Sequence, residues 1–274
     1  MAQSTPPEVL WRYGDPQSHE AVSTLIREHS TNTCDVRDAI LHDVRLASAS
    51  DVLDLGCGFG FMAQAIARLL RPESLITGVD ALGANRAPFE SRVRSEGRRA
   101  EFVRMTVDDR LPWQDRSYDL AVSTYSLYFF PQALPEIARV LRPDGRFLTV
   151  THSAESLRKM LRLAGIPEEH APLLATVQRF CSENGSELLG RCFASVEPID
   201  YRNTLRFDPG EIDDLLRYLR FKFRCFTDWP ESEPELCELE SRDLRRRLCA
   251  MDEIVLEKND TAFWCSGPRS SGTL

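Results

Sequence analysis

The sequence VLDLGCGFG at residues 52–60 gives the strongest indication of the fold of this chain. Its first four residues are typical of a buried strand, and the apolar run at residues 61–70 predicts a helix. Glycines at the bend between these elements would let a ligand approach the backbone without meeting a Cβ atom. Their spacing is GxGxG, because Phe61 stands where the third glycine of the dinucleotide pattern GxGxxG belongs.

Asp54 indicates what kind of ligand this bend would accept. The residue lies two positions before the first glycine, and an aspartate in water is ionised at neutral pH. A carboxylate here would repel a pyrophosphate but would suit a ligand that carries an ammonium group. The alternative is that Asp54 only caps backbone amides of the turn. Cys57, between two glycines, is expected to be a small filler rather than a nucleophile.

Short apolar runs alternate with helical patterns on both sides of this bend. Such alternation implies parallel strands joined by right-handed crossovers. Open sheets of this kind bind ligands at the carboxyl ends of their strands. The predicted strands are residues 52–55, 75–79, 100–105, 118–123 and 146–151, and the predicted helices lie at residues 61–70 and at about 84–96 and 132–141.

Two more carboxylate positions follow the second and third predicted strands. Asp80 ends the second strand, where it could accept both ribose hydroxyls of an adenosine, or could simply cap a helix. The sequence Val107-Asp108-Asp109 follows the third strand, where a carboxylate or backbone group could meet an adenine amine. Asp109 is expected to be a solvated loop charge. A ligand with an amino acid, a ribose and an adenine but no phosphate describes S-adenosylmethionine (SAM).

Four segments in this order resemble the motifs of class I SAM-dependent methyltransferases of the small-molecule, type-11-like group. They are DVLDLGCGFG at 51–60, ITGVDAL at 76–82, DDRLPWQDRSYDLAVSTYSLYFF at 108–130 and ARVLRPDGRFLTV at 138–150. The resemblance covers about residues 33–152. It implies an α/β fold, with a Rossmann-like seven-stranded sheet that is mostly parallel, helices on both faces, an N-terminal helical lid and a helical insertion.

The resemblance also implies roles for individual residues toward SAM. The methionine part would contact Gly56, Gly58, Gly60, Ser123 and Thr124, with Asp54 orienting that region, Asp80 holding the ribose and Leu82 packing on the adenine. Two positions depart from the family pattern. Val107 stands where the family often has Asp, so that Val107 or Asp108 would meet the adenine amine. Tyr128 and Phe129 replace a common His-His pair, which suggests an aromatic acceptor pocket.

The candidate acceptor residues follow the fourth and fifth strands. His152 lies where a general base would sit near the transferred methyl group, although it could equally be an ordinary polar loop residue. Tyr125 and Tyr128 would line the acceptor pocket or would only pack locally. Tyr13 precedes the first predicted helices. In similar methyltransferases the N-terminal segment folds over the cofactor, so Tyr13 could reach SAM.

The whole chain is predicted to form a single methyltransferase domain, residues 1–274. Its parts would be a helical lid (1–46), a SAM-binding core (47–152), a helical cap over the substrate (153–190), closing strands and helices (191–266) and a tail (267–274). Within the closing part we expect a long strand at 193–207, a helix at 209–219, an amphipathic helix at 231–258 and a last strand at 262–265. The basic and aromatic residues that alternate over 220–226 are expected to form a solvated face, and the alternative is that they hold an anionic substrate or RNA.

The amino-acid composition indicates which kinds of binding partner to expect. The 34 Lys and Arg residues against 42 Asp and Glu give a formal net charge of −8, which disfavours long-range attraction to nucleic acid or to an anionic membrane. The eight cysteines are scattered without a CxxC pair, so we expect reduced thiols, no metal site and a cytoplasmic location. No signal peptide or membrane span is expected. The chain would be a monomer or a homodimer.

The predicted function is methyl transfer from SAM to the oxygen, nitrogen or carbon of a small-molecule acceptor, as in secondary metabolism, with S-adenosylhomocysteine (SAH) as product. One alternative is a tRNA or rRNA methyltransferase. Another is a catalytically inactive SAM-binding subunit that serves a partner. A nicotinamide dehydrogenase is disfavoured by the missing third glycine of GxGxxG.

Overall fold

A computed structural model describes residues 16–41, 44–108, 110–168, 171–226 and 234–269. The strands are β1 (Asp51–Leu55), β2 (Leu75–Asp80), β3 (Arg99–Arg104), β4 (Tyr118–Thr124), β5 (Leu141–His152), β6 (Phe193–Tyr201), β7 (Thr204–Phe207), β8 (Ile254–Glu257) and β9 (Asp260–Pro268). The helices are α1 (Pro16–His29), α2 (Val36–Ile40), α3 (Phe61–Leu69), α4 (Arg86–Ser95), α5 (Leu134–Val140), α6 (Ala154–Ala164), α7 (Pro172–Val177), α8 (Gly185–Gly190), α9 (Ile212–Phe226) and α10 (Pro234–Cys249).

Seven of these strands form one sheet in the order β3-β2-β1-β4-β5-β9-β6. Strands β1 to β5 are parallel, whereas β9 runs antiparallel to both of its neighbours, β5 and β6. The predicted seven-stranded, mostly parallel sheet is therefore confirmed. The chain order reverses between β1 and β4, and open α/β sheets bind ligands at such a switch point.

Both faces of the sheet are covered by helices, which explains why its central strands are apolar on both sides. Leu53 and Leu55 of β1 belong to one core cluster, and Val52 belongs to the other. Helices α3 and α4 contribute buried residues to the Val52 side, and α5 to α8 contribute to the Leu53 side. The helical insertion 153–190 thus lies on one face of the sheet, between β5 and β6.

The predicted long strand at 193–207 is wrong, because the chain turns a corner at Asn203. The Asn203 side chain donates to Ser30 Oγ at 2.8 Å and accepts from the Asn32 amide at 3.2 Å. Strand β6 before this corner belongs to the main sheet, and β7 after it pairs with β8 in a separate two-stranded sheet. Side-chain hydrogen bonds to a distant segment cannot be inferred from local alternation of apolar residues.

The predicted helix at 231–258 and the predicted tail also differ from the structure. Helix α10 ends at Cys249, and Ile254–Glu257 form β8 with alternating burial, so that Val255 is 50% exposed between two buried neighbours. Four alternating residues are too few to separate from a helical pattern. Strand β9 extends beyond the expected 262–265 and includes Gly267 and Pro268, the first two residues of the expected tail.

Helix α1 is held against α4 near its beginning and against β7 at its end. Its Glu20 forms an ion pair with Arg92 of α4 at 2.6 Å. At its other end, the His29 ring stacks on Phe207 with centroids 4.3 Å apart, and His29 Nδ1 lies 3.1 Å from the Arg206 carbonyl. Among the described residues, no helix has the length and apolar character of a membrane span.

Gly78 of β2 allows the Phe89 ring of α4 to lie directly against the sheet. A Cβ atom at Gly78 would overlap this ring, and Phe89 is fully buried and cannot move aside. We therefore expect Gly78→Ala to lower the free energy of unfolding by about 1–3 kcal/mol, the usual cost of overpacking. Urea denaturation measures this change.

Gly190→Ala is the matched control, because a Cβ atom at Gly190 would meet nothing within 4 Å. It should leave the unfolding free energy unchanged or raise it slightly. Equal stabilities for the two variants would show that the contact between α4 and β2 is not as close as described.

Candidate cofactor and acceptor site

A cavity of about 330 Å³ opens at the carboxyl ends of β1, β2, β4 and β5. This volume falls within the range of small-molecule pockets. The cavity is lined by the residues that follow these strands and by side chains of α1 and α9. Helix α1 contributes His19, Val22, Ser23 and Ile26, and α9 contributes Phe221 and Lys222.

The glycine bend forms one wall of the cavity. Gly56 and Gly58 have positive φ angles of 70° and 50°, which side chains rarely tolerate. A Cβ atom at Gly56 would overlap Ser126 of the loop after β4, whereas one at Gly58 would meet nothing within 4 Å. The Gly58 backbone is therefore open to a ligand. The Gly56 amide donates to the Val79 carbonyl at 2.8 Å, which joins the ends of β1 and β2.

Asp80 holds the glycine bend through its carboxylate. The Gly58 amide donates to Oδ2 at 3.0 Å, and the Leu82 amide donates to Oδ1 at 2.8 Å. Burial raises the pKa of Asp80, and these two backbone hydrogen bonds and one from the Asn85 side chain oppose the shift. Each carboxylate oxygen can accept a second hydrogen bond. Because the Asn85 side chain also donates to this carboxylate, Asp80 can hold the bend and still accept one hydroxyl from a ligand in the cavity.

Asp54 is a buried carboxylate without a cation. The residue is 2% exposed, and none of the ion pairs among the described residues includes it. Burial raises the pKa of Asp54 to about 7, and the neighbouring charge of Asp80 adds to the shift. A positively charged group in the cavity would offset both effects. The residue therefore fits a ligand ammonium better than it fits a structural role alone.

Thr124, at the end of β4, offers a second polar group to a ligand. Its Oγ1 atom is buried, lines the cavity and has no hydrogen-bond partner among the described residues. Buried polar atoms are nearly always hydrogen-bonded, so an unpaired one that faces a cavity indicates where a ligand or water would bind. Asp54, Asp80 and Thr124 together fit a polar, cationic cofactor.

A second group of polar residues lies where β5 meets β9. The antiparallel register places His152 directly opposite Asp260. His152 Nδ1 lies 2.8 Å from Asp260 Oδ1, the Tyr125 hydroxyl donates to Oδ2 at 2.9 Å, and the Lys258 ammonium also donates to Oδ2. The Tyr125 and His152 rings are stacked, with centroids 4.6 Å apart. The Asp260 carboxylate thus organises three side chains at this end of the cavity.

The charges in this group point to a neutral imidazole beside an ionised carboxylate. Burial lowers the pKa of His152 to about 4, although the hydrogen bond with Asp260 opposes the shift. Burial opposes ionisation of Asp260, but Lys258 and His152 hold its pKa below the usual range. An ionised Asp260 can only accept a hydrogen bond, so the neutral imidazole must carry its proton on Nδ1. The Nε2 atom then has a free lone pair. His152 can therefore accept a proton from a group in the cavity.

The structure brings most of the sequence-predicted site residues to this one cavity. Those that line it are Asp54, Gly56, Gly58, Asp80, Leu82, Val107, Asp108, Thr124, Tyr125, Tyr128 and His152. Gly60 is not among the lining residues and instead begins α3 with a φ of 87°. Tyr13 and Asp109 lie outside the described residues. Cys57 is buried, and burial raises the pKa of its thiol well above the usual value, as expected for a filler.

The expectation for Ser123 needs correction. Ser123 is fully buried and does not line the cavity, and its hydroxyl lies 2.8 Å from the Ser126 hydroxyl. Successive side chains of a strand point to opposite faces, so Thr124 faces the cavity and Ser123 does not. Ser126 lines the cavity in its place and donates to the Leu55 carbonyl at 2.8 Å.

Several residues near His152 were not predicted from the sequence. Phe221 and Lys222 belong to the stretch 220–226 that was expected to be solvated, yet both line the cavity. Lys258 and Asp260 lie after β8, far along the chain from His152. One signal was available, because the chain has only three lysines among its 34 basic residues and two of them line the cavity.

Comparison with known families and proteins identifies the kind of domain that builds this cavity. Residues 52–145 match the family described as "Methyltransferase domain". A fatty-acid O-methyltransferase of Mycolicibacterium smegmatis is 39% identical over 100 residues, which are 35% of this chain and 35% of that protein. The sterol 4-C-methyltransferase strm-1 of Caenorhabditis elegans is 30% identical over 122 residues, or 40% and 33% of the two chains.

A third relative is named for a different activity. The mitochondrial arginine-hydroxylase NDUFAF5 of Mus musculus is 30% identical over 168 residues, or 58% of this chain and 44% of that protein. The chain therefore matches less than half of the length of each of these three relatives.

Solved structures share the fold over nearly the whole chain. The YcgJ protein of Bacillus subtilis superposes with a TM-score of 0.53 at 19% identity, covering 92% of this chain and 99% of its own. A Haemonchus contortus phosphoethanolamine N-methyltransferase solved with SAH gives a TM-score of 0.52 at 16% identity, covering 95% of this chain and 59% of its own. The fold is that of class I methyltransferases. Residues 52–145 therefore resemble a methyltransferase domain in sequence as well as in fold.

Asp80→Ala should weaken the binding of both SAM and SAH, because it removes an acceptor for the ribose and releases the Gly58 amide. Hydrogen bonds to a charged group contribute about 1.5–3 kcal/mol each, so the loss should be tenfold or more. Isothermal titration calorimetry measures it. If a folded Asp80→Ala variant bound SAM and SAH with wild-type affinity, Asp80 would not be part of the cofactor site.

The affinity for SAH should depend on pH through Asp54. The ligand ammonium binds the ionised carboxylate, and protonation of a group with a pKa of about 7 removes that form as the pH falls. We expect the affinity of the wild type to fall by up to about tenfold between pH 7.5 and pH 6. Calorimetric titrations at the two pH values measure the change.

Asp54→Asn is the matched control for this pH dependence. The variant should bind SAH more weakly at pH 7.5 and should lose most of the change between the two pH values. A wild type whose affinity is constant over this range would contradict the contact between Asp54 and the ammonium.

Proposed function

We propose that this protein transfers the methyl group of SAM to a hydroxyl or carboxyl oxygen of a small, largely apolar acceptor. The observation that carries the proposal is the arrangement of the cavity. Its Asp54 and Asp80 end is suited to the amino acid and ribose of SAM, and its His152 end is suited to an acceptor that must lose a proton.

The chain's own residues would hold SAM at the Asp54 end of the cavity. Asp54 would face the ammonium, Asp80 the ribose hydroxyls and Leu82 the adenine, with Thr124 donating to the methionine part. Asp108 lines the cavity beside Val107 and would lie next to the adenine amine. SAM supplies a methyl group bonded to a positively charged sulfur, which is already activated for displacement.

Methyl transfer requires that the acceptor oxygen, the methyl carbon and the sulfur are in line, and that a hydroxyl acceptor loses its proton. The acceptor oxygen forms a bond to the methyl carbon, the carbon–sulfur bond breaks, and the electron pair of that bond goes to sulfur to leave SAH. A hydroxyl acceptor gives its proton to His152 Nε2, and the ionised Asp260 stabilises the imidazolium that forms. Tyr128 and Phe129 would exclude water and hold the acceptor in line with the methyl group.

The proposed arrangement of the chain follows the predicted parts of the domain. The segment 1–46 would close over the cofactor, and α1 already lines the cavity with four residues. The insertion 153–190 would cover the acceptor, and Val177 of α7 lines the cavity from it. The relatives named above as acting on a fatty acid and a sterol support an apolar acceptor.

The proposed location is the cytoplasm, with the protein as a monomer or homodimer. The cysteines whose state is described (Cys34, Cys57, Cys181, Cys192, Cys249 and Cys265) are unpaired thiols, which supports a reducing compartment.

The reaction is tested by incubating the protein with methyl-labelled SAM and three acceptor groups: apolar hydroxy or carboxylic acids, apolar amines, and bulk tRNA. Transfer to the first group, with SAH as co-product, is the expected result. Transfer only to tRNA would contradict the proposal. Calorimetric binding of NAD in place of SAH would contradict it as well.

His152→Gln should lower the turnover of a hydroxyl acceptor by about 100-fold or more, because general-base catalysis contributes about that much. The affinity for SAH should be unchanged, since His152 lies at the acceptor end. Stopped assays for turnover and calorimetry for SAH check the two parts. If His152→Gln turned over a hydroxyl acceptor as fast as the wild type, His152 would not be the base.

A further inference from the structure

The backbone turns sharply at Tyr125, the residue that follows β4. Its φ angle is 55°, and among the described residues the only other non-glycine residue with a positive φ angle is Arg116. A bulky residue rarely adopts this conformation, because its Cβ atom crowds the backbone. Such strain persists only where the surrounding structure holds it, and it is concentrated at functional sites. Tyr125 is thus held in a conformation that is unfavourable in isolation.

This turn brings the Tyr125 side chain into the cavity. Successive side chains of a strand point to opposite faces, so Tyr125 would face away from the cavity if β4 continued. Thr124 and Tyr125 nevertheless both line it. The Tyr125 amide donates to the Val150 carbonyl at 2.8 Å, which fixes the turn to β5, the strand that ends in His152. The turn therefore places the Tyr125 ring beside His152.

Tyr125 contacts both members of the His152–Asp260 pair. Its ring is stacked on the imidazole, with 4.6 Å between the ring centres and 23° between the ring planes. Its hydroxyl donates to Asp260 Oδ2, the oxygen that also accepts from Lys258, whereas His152 Nδ1 lies against Oδ1. A rotation of either the imidazole or the carboxylate would therefore break a contact with Tyr125.

The Tyr125 hydroxyl is a donor here and not a base. Burial and the neighbouring charge of Asp260 raise the pKa of Tyr125 well above its usual value, so the phenol stays protonated at neutral pH. Its hydrogen bond favours the charged form of the Asp260 carboxylate. An ionised Asp260 leaves the imidazole proton on Nδ1 and the Nε2 lone pair of His152 free for an acceptor.

We propose that Tyr125 is a positioning residue for methyl transfer: its ring sets the plane of the His152 imidazole, and its hydroxyl sets the Asp260 carboxylate. The inference rests on the proposed function, in which His152 takes the proton of the acceptor. Tyr125 acts through His152 and not on the reacting atoms. The strained turn allows one side chain to make both contacts.

The first test is the protonation state of His152 in the wild-type complex with SAH, measured by NMR of protein with 15N-labelled histidine. The signal of His152 is the one that is absent from His152→Gln. We expect a neutral imidazole with its proton on Nδ1 between pH 6 and pH 8, because burial lowers the pKa of His152 to about 4. A proton on Nε2, or a mixture of the two neutral forms, would overturn the inference.

Tyr125→Phe removes the hydroxyl and keeps both the ring and the turn. Asp260 then has one donor fewer and attracts the imidazolium more strongly, so the pKa of His152 should rise by about one unit. Tyr125→Leu also uncovers one face of the imidazole, and the pKa of His152 should rise further toward its usual value. Titration of the His152 signal from pH 8 downward measures both shifts.

The other ionisable groups around the His152–Asp260 pair are the same in these variants and in the wild type. Those that the described residues place there are Lys258 before β9, Lys222 and Tyr218 of α9, Tyr201 of β6 and Tyr128 after β4. A change in the pKa of His152 therefore reports the loss of the Tyr125 contacts.

Tyr201→Phe is the matched control. Tyr201 is also a buried tyrosine and lies opposite Asp260 in the pairing of β6 with β9, but its hydroxyl donates to the Cys34 carbonyl at 2.7 Å and it does not line the cavity. This variant should keep the wild-type pKa of His152. An equal rise in Tyr201→Phe, or no rise in a folded Tyr125→Phe, would overturn the inference.

Kinetics distinguish positioning from a purely structural role. With the acceptor found in the labelled-SAM assay, Tyr125→Phe should lower kcat about tenfold or more and leave KM and the affinity for SAH unchanged, because a misplaced base slows only the chemical step. A raised KM with an unchanged kcat would overturn the inference. A wild type that methylates no acceptor would instead overturn the proposed function, and the NMR measurements would still decide whether Tyr125 holds the His152–Asp260 pair.

Discussion

The hydrogen bond from the Gly58 amide to the Asp80 carboxylate is the contact on which the cofactor end of this fold depends. It joins the loop after β1 to the end of β2 and holds the glycine backbone open toward the cavity. Asp80 lies so close to Asp54 that its negative charge adds to the effect of burial and raises the pKa of Asp54 further. Two neighbouring buried carboxylates are unfavourable for the protein alone. A cationic ligand that also carries hydroxyls relieves this cost, which links the stability of the bend to its function.

The opposite end of the cavity depends on strand register rather than on a loop. The antiparallel pairing of β5 with β9 places Asp260 against His152, and the buried carboxylate then orients the imidazole and attracts Lys258. A shift of one residue in this pairing would turn Asp260 to the other face of the sheet. The antiparallel strand that distinguishes this sheet from a fully parallel one therefore contributes directly to the proposed acceptor chemistry.

The cofactor end could be predicted from the sequence because its signals are local. Asp54, the glycines and Asp80 lie within a single β–α–β segment, and their spacing carries the information. The acceptor end could not be predicted in the same way. His152 and Asp260 are separated by 108 positions, and nothing in the local pattern pairs them. Lys222 lies in a stretch whose alternating basic and aromatic residues are equally consistent with a solvated helix.

The smaller errors of the sequence-based predictions also concern features that depend on the three-dimensional arrangement of the chain. The corner at Asn203 is made by hydrogen bonds to Ser30 and Asn32, which lie more than 170 positions away along the chain. Ser123 and Thr124 are adjacent in sequence, and only the direction of β4 relative to the cavity decides which of them faces it. Elements with a strong local period were predicted with small errors at their ends, whereas contacts between distant segments required the structure.

The crystal structure of the protein with SAH bound would test the account most directly, because both ends of the cavity are visible in one measurement. We expect the SAH ammonium beside the Asp54 carboxylate, the ribose hydroxyls on Asp80, and the sulfur facing the space in front of His152 and Lys222. SAH bound in the reverse direction, with its ammonium near Lys222, would contradict the assignment of the two ends and the mechanism built on it.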